Sequence, residues 1–267
     1  MTDADVLLAG VAAAAPPIGL EDVPELMSRV DHKYIVTASV MARLAAELGD
    51  RFSVLRIGTR RQFRYTSTYF DTPDLLTFRH HRQGRRRRFK VRTRTYLDGG
   101  GRWLEVKLSG ARGSTDKHRI PYDDAPPWEL TPQALDFVRD TLLGELRLVA
   151  PETLEPVLAT DYRRVTLVDG SGSARLTCDT GLVCRDGWGS APARRDLVLL
   201  ESKSVDGRAL VDRVLRDLGA RPVSVSKYCL AVAALHNLPG NRWRPALRGY
   251  LTSRRPAERA EVGLRAA

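Results

Sequence analysis

Apolar and polar residues alternate with a period of two over much of this chain, a pattern typical of β-strands. Leu104, Val106 and Leu108 alternate with Glu105 and Lys107. The same alternation places other charged residues on one face of a strand at Arg88, Lys90, Arg92 and Arg94, at Lys117 and Arg119, at Arg175 and Asp179, and at Glu201 and Lys203. Each predicted strand therefore has one apolar face and one charged face.

A second pattern, with a period near 3.6 residues, predicts a few amphipathic helices. They are expected to follow Thr37, to begin at Thr131, to run from about Arg208 to Leu218 with Gly219 just after the end, and to cover the segment from Lys227 to His236. Each of these helices needs an apolar surface on which to pack.

Two arrangements of the strands are compatible with this pattern. Each charged face could point to solvent, or the sheet could close so that the charged faces line a shared bore and helices cover the apolar outside. The stretch from Arg79 to Arg94 holds nine basic and no acidic residues. Such a stretch repels itself unless an anion neutralises it, and this favours the closed arrangement.

The chain of 267 residues has no strong internal break and is predicted to form one domain over residues 25–239. Residues 1–24 are expected to be a weakly ordered lead-in, and residues 240–267 an Arg-rich tail. The three cysteines lack CxxC spacing, which favours reduced thiols. No apolar run is long enough to span a membrane, so the sequence predicts a soluble, cytoplasmic protein.

The formal net charge of +11 indicates an anionic partner. Composition alone leaves nucleic acid, an acidic membrane surface and a polyphosphorylated molecule open. Only six of the 43 basic residues are Lys, and each lies in a strand or strand-end motif. Lys is a compact point charge that suits closely packed phosphates.

Several short motifs together resemble a known family. They are Arg29-Val-Asp-His-Lys33-Tyr34, Tyr69-Phe-Asp-Thr-Pro-Asp74, Phe89-Lys-Val-Arg92-Thr-Arg94-Thr-Tyr96, Leu104-Glu-Val-Lys107, Lys117-His-Arg119, Tyr162-Arg-Arg164, Leu200-Glu-Ser-Lys203 and Ser226-Lys227-Tyr228. In this order, over residues 25 to 235, they resemble the VTC domain of polyphosphate polymerases, a member of the triphosphate tunnel metalloenzymes.

The resemblance implies an α+β fold with a closed antiparallel β-barrel of about eight strands, a tunnel with amphipathic helices outside. It implies catalytic phosphate contacts from Lys33, Arg92, Arg94, Lys107, Arg164 and Lys227, and substrate-binding contacts from Arg79, Lys90, Lys117, Arg119, Lys203 and Ser226. Glu201 corresponds to a metal-holding glutamate, with Glu105 as a second acidic ligand. The implied cofactor is Mn²⁺ or Mg²⁺.

The implied activity is transfer of the γ-phosphate of ATP to a growing polyphosphate chain. An acceptor phosphate is already ionised at neutral pH, so the absence of an obvious His/Asp base does not count against this activity. A triphosphatase acting on tripolyphosphate or a nucleoside triphosphate, and a non-catalytic polyphosphate or nucleotide sensor, remain alternatives. The aromatic content of 7% does not favour a specific nucleic-acid partner. The oligomeric state is left open.

Some residues depart from the family pattern or have simpler interpretations. Ser224 stands where family members carry a basic residue two positions before the Ser-Lys pair. Asp71 and Asp74 are expected to form a turn and a helix cap. Tyr34 and Tyr228 are expected to pack in the core, and His80, His81 and His118 to lie on the surface.

Overall fold

The computed structural model describes residues 3–24, 30–109 and 115–252. Its strands are β1 Pro17–Ile18, β2 Val30–Thr37, β3 Phe52–Leu55, β4 Phe63–Asp71, β5 Arg88–Tyr96, β6 Arg102–Ser109, β7 Thr115–Pro121, β8 Glu155–Asp169, β9 Ala174–Arg185, β10 Ser190–Pro192 and β11 Leu197–Ser204. Its helices are α1 Asp3–Ala14, α2 Ala38–Leu48, α3 Leu76–Gln83, α4 Pro132–Leu146, α5 Leu210–Asp217, α6 Lys227–Leu235 and α7 Arg244–Gly249.

The main sheet runs in the order β2-β11-β9-β8-β4-β5-β6-β7, and its neighbours are antiparallel. The predicted α+β class and antiparallel sheet are confirmed. Between the described residues of β2 and β7, which end the path, no ladder of hydrogen bonds closes the barrel. At the edge of β2, the backbone N–H of Val223 donates to the carbonyl of Lys33 at 2.7 Å.

Two apolar layers cover one face of the sheet, as the alternation predicts. Helices α1, α2 and α5 pack on the apolar side of β2, β8, β9 and β11, around Leu44, Val165 and Leu200. Helix α4 packs on β5 and β6 around Val91 and Val106. The hydroxyls of Thr37 and Thr131 cap α2 and α4, as their positions before the helices predict.

The helix from Lys227 differs from the others because it packs on the opposite face of the sheet. It lies beside Tyr69, Tyr162 and Leu199, which share their strand faces with charged residues. Nearly every residue of α6 from Tyr228 to Leu235 is buried. A helix that is apolar all round must be enclosed on several sides, so the outer surface of the sheet cannot accommodate it.

The predictions for the two chain ends are wrong over the described residues. In the segment taken as a lead-in, α1 buries Ala4, Leu8 and Ala12 against α2 and the sheet. Because these residues are spaced by four, they form a narrow apolar stripe along α1. The small alanine side chains let α1 approach α2 and the sheet closely. In the segment taken as a tail, Trp243 and Tyr250 are core residues; residues 253–267 lie outside the described part of the chain.

Over the described residues, no helix combines the length and apolar character needed to cross a bilayer.

Candidate functional site

The predicted site residues on the strands all lie on the face of the sheet that α1, α2, α4 and α5 leave uncovered. Cross-strand pairing fixes this arrangement. Lys33 pairs with Glu201, and Arg92 pairs with Glu105, which in turn pairs with Arg119. Partners directly opposite each other in a ladder share a face, so the alternation seen in the sequence converges on one basic surface.

Curvature of the sheet brings distant strands together over this surface. Strands β11 and β6 are five steps apart in the sheet, which would be about 24 Å in a flat sheet. Yet Lys107 on β6 and Glu201 on β11 are close enough for each to influence the pKa of the other. Lys33 on β2 likewise lowers the pKa of Lys90 on β5. The sheet therefore curves enough for charged side chains of distant strands to act on one another.

Three lysines form a row across β5, β6 and β7. Lys90 is directly opposite Lys107, and Lys107 is directly opposite Lys117. Arg92 and burial lower the pKa of Lys107 well below its ordinary value. Burial lowers the pKa of Lys90 to about 8, and burial also lowers the pKa of Lys117. Like charges directly opposite each other destabilise a sheet. A bound anion would relieve this repulsion between the three lysines.

Next to the lysine row, Arg92 and Glu105 form a buried ion pair. The Arg92 Nε and Nη2 groups donate to Glu105 Oε2 at 2.8 and 2.5 Å, and Arg92 Nη1 donates to the Tyr69 hydroxyl at 3.0 Å. The other oxygen, Glu105 Oε1, is buried and has no hydrogen-bond partner; it lies 3.7 Å from Lys117 Nζ. Burial raises the pKa of Glu105, but Arg92 and the other cations outweigh burial and hold it well below its ordinary value.

A second buried cluster joins β8, β9 and α6. Arg164 donates to both oxygens of Asp179 at 2.6 and 2.8 Å, and Lys227 Nζ donates to Asp179 Oδ2 at 2.5 Å. Burial opposes ionisation of Asp179, but Arg164 and Lys227 lower its pKa overall. Lys227 Nζ also lies 4.5 Å from the centre of the Tyr162 ring. Arg164 and Lys227 are therefore held by a shared carboxylate, with an aromatic surface beside them.

Tyr162 anchors further cations. Its ring stacks on that of Tyr65 at 5.3 Å, and its hydroxyl accepts a hydrogen bond from Arg94 at 2.9 Å. Burial raises the pKa of Tyr162, but Arg94, Arg164 and Lys227 lower it overall. The guanidinium of Arg94, predicted to contact phosphates, is thus fixed by the tyrosine pair.

The predicted metal residue Glu201 lies in a third cluster. Its Oε1 accepts from Lys203 Nζ at 2.9 Å and lies 3.9 Å from Lys33 Nζ, and Lys203 Nζ is 3.7 Å from Asp31. Burial raises the pKa of Glu201, but Lys33, Lys203 and Lys107 together hold it well below its ordinary value. Glu201 is therefore ionised and close to the lysine row.

Asp212 of α5 supports this cluster from the other side of the sheet. Its buried carboxylate accepts from the hydroxyls of Tyr34 at 2.7 Å and Ser202 at 3.0 Å. Tyr34 and Ser202 immediately follow Lys33 and Glu201 in their strands. One carboxylate thus fixes the two strands that present Lys33 and Glu201.

Two predicted substrate contacts lie elsewhere or have another local role. Arg79 is on helix α3, not on a strand, and forms an ion pair with Asp74. The Ser226 hydroxyl accepts from the N–H of Cys229 as the N-cap of α6, next to Lys227. The roles of both residues in substrate binding stay predictions.

The simpler interpretations are partly confirmed. Asp71 accepts hydrogen bonds from the backbone N–H groups of Thr77 and Phe78 at the start of α3, as expected for a helix cap. Tyr34 and Tyr228 are core residues. The surface prediction for His81 is wrong: its ring is buried and contacts the carbonyl of Thr77 at 2.9 Å. His81 follows His80 in a basic stretch, and this local sequence gives no signal that His81 is buried.

Sequence reasoning missed Asp179 as the partner of two catalytic candidates, and Tyr162 as their support. Both had a signal: Asp179 shares a strand face with Arg175, and Tyr162 belongs to the Tyr-Arg-Arg motif. Alternation places a residue on a face, but it does not say which residue of another strand lies opposite.

A carboxylate on this surface could hold a divalent metal only with help from the substrate. Among the described residues, no group of three His, Cys, Asp or Glu side chains could hold a metal ion. Mg²⁺ commonly binds through one or two carboxylates together with substrate phosphates and water. Glu201, ionised and close to Lys33, Lys203 and Lys107, fits that mode.

Comparison with known proteins gives one family match and several distant structural similarities. The pattern of the family described as VTC domain matches residues 28–236. No significant match to a curated protein sequence was found.

The solved structures that resemble this chain include three with TM-scores between 0.44 and 0.48. An adenylate cyclase candidate from Bacillus halodurans is 13% identical, with a TM-score of 0.48, over 74% of this chain and 94% of the other. The adenylyl cyclase candidate HpAC1 from Hippeastrum, described as having a dominant triphosphatase activity, is 14% identical, with a TM-score of 0.46 over 78% and 96%. The PH1819 protein from Pyrococcus horikoshii OT3 is 14% identical, with a TM-score of 0.44 over 79% and 99%.

Proposed function

This chain belongs to the VTC domain family, and from that membership we propose that it is a metal-dependent phosphotransferase that adds the γ-phosphate of ATP to a polyphosphate chain. The observation that carries the proposal is the lysine row, Lys90, Lys107 and Lys117, on the charged face of the sheet. The three lysines are adjacent, and there is no carboxylate for each of them. A ligand with several closely spaced negative charges would balance their charge. A chain of phosphates has that property.

In the proposed reaction, a terminal oxygen of the polyphosphate attacks the γ-phosphorus of ATP. The bond from that phosphorus to the bridging oxygen breaks, and ADP leaves with the electron pair. The acceptor oxygen is already ionised, so the net reaction needs no proton transfer. Catalysis then depends on positioning and on neutralising the non-bridging oxygens.

The chain's own residues suit this task. We assign the non-bridging oxygens to the lysine row and to Arg164 and Lys227, which are rigidly placed by Asp179. Glu201 would hold the divalent metal, which would supply further charge neutralisation when bound. We assign Glu105 to holding Arg92 in place, because their ion pair is buried.

The carboxylates of the site favour a phosphate acceptor over water. Glu105, Asp179 and Glu201 each contact a cation, and their pKa values are all lowered. A carboxylate with a lowered pKa is a weak general base, so it would help a water nucleophile little, whereas a phosphate acceptor is already ionised. This observation supports the polymerase over the triphosphatase on the same surface.

We expect the protein to convert ATP into ADP and a long acid-labile polymer in the presence of Mn²⁺ or Mg²⁺. The measurement is product analysis by gel electrophoresis and ³¹P NMR over time. Release of ADP and free phosphate without polymer would instead indicate the triphosphatase. Tight binding of tripolyphosphate with no turnover in either metal would indicate a sensor.

Binding of tripolyphosphate is expected to weaken as the pH rises from 7 to 9. The pKa of Lys90 in the free protein is about 8, so Lys90 loses its charge over this range, whereas a bound anion favours the charged form. If only the charged form of Lys90 contacts the anion, its deprotonation lowers the apparent affinity for tripolyphosphate about tenfold between pH 7 and pH 9. Calorimetric titrations across this range measure the effect.

The matched control for this pH effect is Lys90→Arg, which keeps its charge at pH 9. Changes in the ionisation of tripolyphosphate affect both proteins equally, so the difference between them isolates Lys90. Parallel pH profiles for the two proteins would contradict a contact between Lys90 and the anion.

A further inference from the structure

The basic side chains along β5 differ in their partners: of Arg92, Lys90 and Arg88, only Arg92 forms an ion pair with a described carboxylate. Arg92 is paired with Glu105, and Arg94 donates to Tyr162. Lys90 and Arg88 lie on the same strand face, but no described carboxylate forms an ion pair with either of them. Residues two apart on a strand are separated by about 7 Å. A chain of phosphates that contacts Lys90 can therefore reach Arg88 with its next units.

Arg88 has an unused donor that points to a ligand. Its Nη1 donates to the carbonyl of Arg85 at 2.7 Å, but its Nε is buried and has no hydrogen-bond partner. Burial and the nearby Arg242 lower the pKa of Arg88. A buried, unsatisfied donor next to a second cation is costly, and an anion bound there would remove the cost.

The second cation comes from outside the family domain. Arg242 follows the matched residues 28–236, in a segment that buries Trp243 and Tyr250 in the core. Its Nη2 donates to the carbonyl of His81 at 2.8 Å, and its guanidinium lies 5.5 Å from the centre of the Trp243 ring. Arg242 is thus held in place, although its side chain is still partly exposed.

Three cations, Arg88, Lys90 and Arg242, act on the buried ring of His81. Arg88, Lys90 and Arg242 all lower the pKa of His81, which burial and these charges bring to about 2. His81 is therefore neutral at physiological pH and adds no negative charge. Nothing among these groups neutralises the arginines.

We propose that Arg88 and Arg242, together with Lys90, form an additional phosphate subsite that binds polyphosphate chains longer than tripolyphosphate. This subsite rests on the proposed function, because it extends the proposed row of phosphate contacts along β5. It also assigns a direction: the chain runs from the Arg92 end of β5 past Lys90 toward the C-terminal segment. The segment after residue 236 then contributes to selectivity for chain length.

The test compares the affinity for tripolyphosphate with that for a long linear polyphosphate, by calorimetry at one fixed salt concentration. Arg242→Gln and Arg88→Gln are expected to weaken binding of the long chain about tenfold, the effect of losing one charge-assisted hydrogen bond. Binding of tripolyphosphate is expected to change less than about twofold. Arg242→Lys should restore part of the lost affinity.

Arg248→Gln is the matched control, because Arg248 is exposed on the same C-terminal segment and loses the same charge. It should leave both affinities unchanged. Melting temperatures without ligand separate a loss of folding from a loss of binding. An equal effect of Arg242→Gln on both ligands, or no effect on either, would overturn the subsite.

The affinities, together with the product analysis of ATP turnover, test the subsite and the proposed function separately. The expected pattern of affinities without any polymer from ATP would support the subsite and contradict the polymerase. Polymer formation with no dependence of chain affinity on Arg242 would support the polymerase and contradict the subsite. If the wild type bound neither ligand, both proposals would fail.

Discussion

Replacing Glu201 by Gln is expected to reduce metal-dependent turnover of ATP by more than about 100-fold, the scale of losing one principal source of charge stabilisation. Glu201 lies beside Lys33 and Lys203, and its lowered pKa shows that it is ionised. A neutral amide binds a hard divalent cation much more weakly than a carboxylate does. Initial rates over a range of Mg²⁺ or Mn²⁺ concentrations measure this loss.

In the absence of metal, Glu201→Gln should not weaken the binding of tripolyphosphate, in contrast to its effect on turnover. Glu201→Gln removes a negative charge from a basic surface, so the affinity for the free anion should stay the same or increase. Binding of Mn²⁺ to the tripolyphosphate complex, followed by electron paramagnetic resonance, should weaken. Glu47→Gln, an exposed position on α2, is the control. If Glu201→Gln kept the wild-type rate and metal dependence, Glu201 would not hold the metal.

Replacing Glu105 by Gln is expected to destabilise the unliganded protein by about 3–5 kcal/mol, the cost of removing one partner of a buried ion pair. Arg92 would keep its charge, with no carboxylate beside it, in a buried position among other cations. The free energy of unfolding, from denaturant titration, measures this loss. Glu129→Gln, an exposed change of the same kind, should have little effect.

Tripolyphosphate should stabilise Glu105→Gln more than it stabilises the wild type. The variant surface carries one negative charge less, and a bound anion would neutralise Arg92 in place of Glu105. The increase in melting temperature on adding tripolyphosphate is therefore expected to be larger in the variant. An equal increase in both proteins would indicate that the anion does not reach Arg92.

The two predictions give different roles to the two carboxylates that the family resemblance implies as metal ligands. The resemblance implies Glu201 as the metal-holding glutamate and Glu105 as a second acidic ligand, and both stand in Glu-x-Lys motifs on strands. In the structure Glu105 is inaccessible and bound by Arg92, whereas Glu201 keeps one-fifth of its side chain exposed. We therefore expect Glu201→Gln to act mainly on turnover, and Glu105→Gln mainly on stability.

Strand alternation explains why so much of the site could be predicted. Because neighbouring side chains on a strand point to opposite faces, Arg92, Lys107 and Lys203 could be placed on one face before any pairing was known. The apolar residues between them require helices on the other face, and α2 and α4 begin at the predicted caps.

The same local rules failed where burial depends on remote partners. The helix α1 contains many small residues, and its packing becomes favourable only when α2 and the sheet provide a matching surface. Trp243 and Tyr250 are core residues only because the concave side near α6 leaves space for them. His81 was predicted to lie on the surface because the histidines are scattered without the spacing of metal ligands, and its neighbours in sequence are basic.

The sequence by itself determined which residues of each strand share a face and that one face is basic, and from this it predicted an anionic ligand. These properties follow from the two-residue period of a strand and from charge, which need no knowledge of the other strands. Only the tertiary structure decided which charges lie opposite each other: Glu105 with Arg92, Asp179 with Arg164, and Lys107 between two other lysines. Strand order and curvature set these pairings, because they bring together residues that are far apart in the sequence.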